Sequence, residues 1–169
     1  MSQAKNKVRW CLKKAERELE ESNRHRGLVK IKPDIKKASE HIAKAEHYIE
    51  ATDYLKKGNF SDISTSTIFY AMYHCLLAIA IKLGYESRNQ ECTFALIYSL
   101  IEENKIEFDK EFLERISSLD IKDVDEKASI EIREKYQYGT SLSIGNDLYK
   151  GLYELAQEIL DKTKEIIEG

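Results

Sequence analysis

The chain has 169 residues, of which 42% are hydrophobic and 34% charged, with a formal net charge of −3. That length predicts a single domain able to bury a proper core, and the composition is too rich in both classes for a loop-dominated protein. Lys5, Lys7, Arg9 and Lys13 interrupt the N-terminus at once, and the apolar run at residues 71–83 is too short for a bilayer, so no signal peptide, membrane contact or lipid anchor is expected and the location reads as cytoplasmic.

In chain order, the first helix is expected over about residues 3–22, with Val8, Cys11, Ala15 and Leu19 on one face, ending in Asn23-Arg24-His25-Arg26-Gly27. A second begins after Pro33 and carries Ile35, Ala38, Ile42, Ala45, Ile49 and Thr52 at a near-heptad repeat, before Lys57-Gly58-Asn59 turns the chain. The third is the central element. Ile63, Thr67, Tyr70, His74, Leu77 and Ile81 step by three or four, and Ile68, Met72, Cys75 and Ile79 form a second stripe, so no face is left for water and a helix at the bundle centre is predicted. Gly84 stops it as a C′ glycine does. Shorter helices follow at residues 91–102, 109–117 and 124–136, and a last one at about 142–167 buries Leu148, Leu152, Leu155, Ile159 and Ile166. No stretch alternates with period two for long enough to predict a strand. The segment Lys14-Ala15-Glu16 to Ser22 is echoed at Lys44-Ala45-Glu46 to Thr52, which two amphipathic helices of similar alphabet explain without a repeat array. Cys11, Cys75 and Cys92 are odd in number and widely spaced, which predicts reduced thiols and neither a disulfide frame nor a zinc site.

Charge is unevenly spread. Residues 1–37 hold 12 Lys and Arg against 5 Asp and Glu, while the remainder holds 15 against 25. The domain reading is therefore a basic helix and loop over residues 1–37, packing on or extending from a bundle over residues 38–169. Arg24, Arg26, Lys30, Lys32, Lys36 and Lys37 cluster around an expected flexible turn, where they could neutralise phosphates in a salt-dependent way. The alternatives are a merely solvated lysine-rich face, or an arm packed on the acidic body of a second subunit.

The run FYAMYHCLLAIAIKLGYE resembles the signature of HEPN-domain proteins, helical prokaryotic domains often encoded beside minimal nucleotidyltransferases, whose typical text reads like YYAMFHAARALLLKKGYE. The stretch IEIREKYQYG at residues 130–139 is similar to the family's later helix ending, and the likeness spans roughly residues 38–160. The resemblance implies an all-α fold, an up-and-down four-helix core with additional shorter helices, a homodimer formed through long helices, and a nucleotidyltransferase-type protein, an RNA or a nucleotide as partner.

Family members that cleave RNA carry an arginine followed four to six residues later by a histidine. Here Arg133 is present, yet no histidine follows residue 74, and Tyr136 and Tyr138 fill that stretch. A phenol titrating near 10 is a poor base at neutral pH, so a divergent, non-catalytic member is predicted. Where many relatives read Lys-Ser-His and then glycine, this chain has Arg88-Asn89-Gln90 and then Cys92, and Gln90 cannot titrate. The ligand-binding candidates are Arg133, Tyr138, Tyr136, His74, Tyr70 and Tyr73, read as converging on one polar pocket. Arg133 is equally placed to pair with a nearby Glu, and His74 to be a neutral imidazole inside the bundle. Tyr136 and Tyr138 are also candidates for an AMP-like modification.

Phosphate-binding loops, nucleophile elbows, zincin helices and Cys-x-x-Cys pairs are absent. His41 and His47 are six apart, which is not the spacing of a helical metal pair, and Glu40 and Glu46 lack the histidine a di-iron site would need. No catalytic residue, metal or cofactor is expected. The function predicted is a HEPN-like binding module for a nucleotide, an RNA or a nucleotidyltransferase-type protein; the alternatives are a metal-independent ribonuclease toxin of a toxin–antitoxin pair and a purely structural oligomerisation protein.

Overall fold

The structure, a computed structural model, describes residues 1–119 and 140–169. It is an all-α helical bundle with α1 at Gln3–Ser22, α2 at Ile35–Lys57, α3 at Ser64–Lys82, α4 at Gln90–Glu102, α5 at Lys110–Ser117 and α6 at Asn146–Glu168. The helix expected at residues 124–136 lies outside the described residues.

Side-chain caps set most of the starts. Ser2, Asp34, Asn89 and Asp109 each accept a backbone N–H of the first turn, at 3.2, 2.9, 3.0 and 2.9 Å. This satisfies a donor that the helix itself leaves orphaned. The last helix begins four residues later than expected, because Gly145 takes the cap position and Ile144 is drawn inward, its N–H donating to Ser61 Oγ at 3.1 Å.

Helix α3 is the hub. Ile68, Met72, Cys75, Leu76 and Ile79 are at most 1% exposed, packed among residues of α2, α4, α5 and α6. Burial of this kind supplies the main drive for folding, at roughly 1.5–3 kcal/mol per large side chain. The other expected stripe is not sealed: Ile63 is 45% and Tyr70 44% exposed, and Thr67, His74 and Leu77 are half-buried. A helix can be apolar around its whole wheel and still show one side to water, since folded surfaces are themselves largely apolar. By length and composition Ser61–Lys82 could cross a membrane, which the shorter run read from the sequence could not; most of it is buried in the bundle, as a core helix is.

Helices α2 and α3 form an antiparallel hairpin, in which His41 meets His74, Tyr48 meets Tyr70 and Thr52 meets Thr67. At its open end the chain does form strands, contrary to expectation. Leu28–Lys30 (β1) pairs antiparallel with Tyr85–Ser87 (β2), Val29 opposite Glu86. Three-residue strands are too short to show period two. Gly84 turns α3 into β2 with φ +84°, and a Cβ there would stand 3.0 Å from the Ile31 carbonyl oxygen.

The N-terminal segment is built into the bundle. Cys11 on α1 and Cys92 on α4 are disulfide-bonded, both fully buried, with Cα atoms 5.9 Å apart. The expected reduced state is thereby corrected for this pair: spacing in sequence says nothing of two helices lying side by side. Cys75 alone remains a thiol, and burial pushes it up to about 12, so it is an inert core residue.

Candidate nucleic-acid interface

Four side chains of α2, Lys37, His41, Lys44 and Tyr48, recur at steps of four, three and four and so share one face. Opposite them on α3 stand Tyr70, His74, Leu77 and Ile81 with the same steps. The two rows meet. His41 Nδ1 lies 2.9 Å from His74 Nδ1, Tyr48 stacks on Tyr70 at 5.6 Å and on His74 at 5.7 Å, and Lys44 Nζ sits 5.2 Å from the Tyr48 ring centre. One imidazole must donate and the other accept, so the two rings hold complementary protonation at Nδ1. Burial, then the neighbouring His41 and Lys44, lowers His74 to about 4; burial and Lys37 lower His41. Both rings are neutral at neutral pH.

Toward the sheet the strip opens into a pocket of about 200 Å³, walled by Lys37, His41, Glu86, Ser87 and Arg88 with Leu77 and Ile81 beneath. Glu86 organises it. Lys37 Nζ and Arg88 Nε each donate to its carboxylate at 3.1 Å, and His25 Nε2 at 3.3 Å. Gly27 N–H donates to His25 Nδ1, which leaves the ring proton on Nε2 for Glu86. Burial pushes the Glu86 carboxyl up, but hydrogen bonds from Lys37 and His25 and the charges of Lys37 and Arg88 outweigh it, leaving a net shift downward. Two full cations thus face one carboxylate, so the charged groups of the lining sum to a net positive charge.

No protein-family model and no curated protein matches this chain.

Among the residues singled out from sequence, Tyr70 and His74 lie together on this strip. Tyr73 does not: its hydroxyl is 3.0 Å from Thr93 Oγ1, and its ring stacks on Phe69 and tilts against Phe94, so it packs α3 on α4. Arg133, Tyr136 and Tyr138 lie outside the described residues. Of the basic segment, Arg24, Arg26, Lys30, Lys32 and Lys36 are exposed and Lys37 is half-buried. The expected flexible turn is instead anchored, with Arg26 N–H donating to Glu18 Oε2 at 2.7 Å, Lys30 opposite Tyr85 in the sheet, and His25 buried. Sequence reasoning missed His41, Tyr48 and Glu86. The four-three-four spacing on α2 was the available signal, but charged and aromatic residues at such steps also describe an ordinary solvated face. Among the described residues no group of three or more His, Cys, Asp or Glu is arranged to hold a metal ion.

Proposed function

We propose that the chain is a non-catalytic HEPN-like binding module that engages RNA or a nucleotide through the strip between α2 and α3. The supporting observation is the juxtaposition of a net-positive pocket at Lys37 and Arg88 with a shelf formed by Tyr48 and the exposed Tyr70. Cations of this kind take phosphate, and an aromatic face takes a base of any identity. The neutral histidines suit hydrogen bonding to a sugar or base edge. An imidazole held near 4 is a weak base at neutral pH, which weighs against a ribonuclease built on this pair.

The resemblance adds two further parts to the proposal, a homodimer and a nucleotidyltransferase-type protein as companion. A dimer would scatter light at twice the chain mass of 19.6 kDa. The cytoplasmic location also belongs to the proposal; it accommodates the Cys11–Cys92 bond where the cytoplasm maintains structural disulfides, as in hyperthermophiles.

The test is fluorescence anisotropy with a labelled oligouridylate at low and moderate salt. Wild type binds in a salt-sensitive way, and Tyr70→Ala binds about 5- to 150-fold more weakly, the range expected for one lost stacking platform. The labelled RNA stays full length on a denaturing gel. Shortened products would favour the ribonuclease, and no binding at low salt would leave the structural protein.

A further inference from the structure

A second groove, of about 210 Å³, lies between α1, α4 and the outer side of the sheet. Its floor is apolar, with Val8, Leu12, Leu96 and Leu100, and Tyr85 forms one side. Around the rim stand Lys5, Arg9, Lys30 and Lys105 against a single acid, Glu103. Glu103 is engaged by Lys5 at 3.0 Å and Lys105 at 2.7 Å. Arg9 and Lys30 have no carboxylate partner among the described residues. The groove therefore presents two uncommitted cations above an apolar floor.

The two grooves are joined by the chain itself. Lys30, the last residue of β1, lines the second groove, and Lys37, in the first turn of α2, lines the first. Seven residue steps separate them, so at no more than about 3.6 Å each their Cα atoms lie within about 25 Å. The intervening Lys32 and Lys36 are exposed. At a stacked rise of about 3.4 Å per nucleotide, that span corresponds to at most about seven nucleotides, comparable with the roughly 4–16 nucleotides covered by one single-strand-binding fold.

We infer that the groove of Arg9, Lys30 and Tyr85 is a second phosphate-and-base subsite, so that one single strand of RNA crosses the basic segment from the α2–α3 strip to the α1–α4 face. This rests on the RNA reading of the first strip. A mononucleotide or a very short oligomer occupies only one groove; a longer strand occupies both.

The experiment compares labelled uridylate decamer and trimer binding to wild type, Arg9→Ala/Lys30→Ala and Lys13→Ala across a salt series of about 50 to 200 mM. Arg9, Lys30 and Lys13 are all exposed, so the fold is retained, which circular dichroism verifies. For the decamer, the double variant shows a log–log salt slope shallower by about 1.4, two phosphate contacts at about 0.7 each. Its trimer affinity and the Lys13→Ala decamer slope match wild type. Decamer binding with an unchanged slope in the double variant overturns this subsite while leaving the first strip standing. An equal loss in Lys13→Ala also overturns it, since any surface cation would then serve. Absence of salt-sensitive decamer binding by wild type removes the RNA reading itself.

Discussion

The paired imidazoles of His41 and His74 make the α2–α3 contact sensitive to acid. An ordinary histidine titrates near 6.5, and His74 in the fold near 4, so between those values the unfolded chain holds more protons than the native one. Stability is therefore complete above about 6.5 and is lost progressively as pH falls toward 4. The full shift would be worth about 3 kcal/mol; for a half-exposed ring, solvent screening reduces the loss at pH 5 to the order of 1 kcal/mol. Urea unfolding at pH 7 and pH 5 measures it, and His74→Gln should flatten the difference; an equal pH dependence in both proteins would remove the pair as its source. Glu86 gives a second residue-scale prediction. Glu86→Gln removes the carboxylate that occupies Lys37 and Arg88, so RNA should bind several-fold more tightly with a steeper salt dependence. Anisotropy at two salt concentrations checks it, and weaker binding would show that Glu86 orients these cations rather than competing with the ligand.

Among the elements, the short sheet is held against α1 by its glycine. A Cβ on Gly27 would lie 2.9 Å from the Cys11 carbonyl oxygen and 3.2 Å from Ala15 Cβ, while the Gly27 carbonyl accepts from Arg88 N–H at 2.9 Å. Gly27→Ala must push β1 off the helix, at a cost of about 1–3 kcal/mol for overpacking, and thermal unfolding should show a lower midpoint. An unchanged midpoint would mean that the strand moves freely. The sequence carried the helices better than these junctions. Periodic apolar residues and the caps at Ser2, Asp34, Asn89 and Asp109 are local signals, readable within one turn. A three-residue strand, a bond between Cys11 and Cys92, and a histidine pair 33 residues apart are created by packing and leave no local trace. For the same reason His74 and Tyr70 stand out as candidates on α3, whereas His41 enters the sequence reading only as a rejected metal partner of His47 and Tyr48 does not enter it.

For the whole molecule, the Cys11–Cys92 bond decides how the basic segment is presented. It closes a loop over a separation of 81 residues that contains β1, α2, α3 and β2, and thus both walls of the first strip. In the chain-entropy limit a loop of that length stabilises the fold by up to about 4.5 kcal/mol. Titrating thiols in denaturant should detect one per chain before reduction, Cys75, and three after it; three beforehand would show that the bond does not form. Urea unfolding with and without reductant should then show a marked loss of stability in the reduced protein. The bond also fixes α1, which carries Lys5 and Arg9, against α4, which carries Leu96 and Leu100, so the second groove depends on it more directly than the first. Reduction under conditions where the protein stays folded should accordingly weaken decamer binding more than trimer binding. Equal weakening of both would place the effect in the general loosening of the bundle, and no weakening would mean that packing alone holds α1 in place.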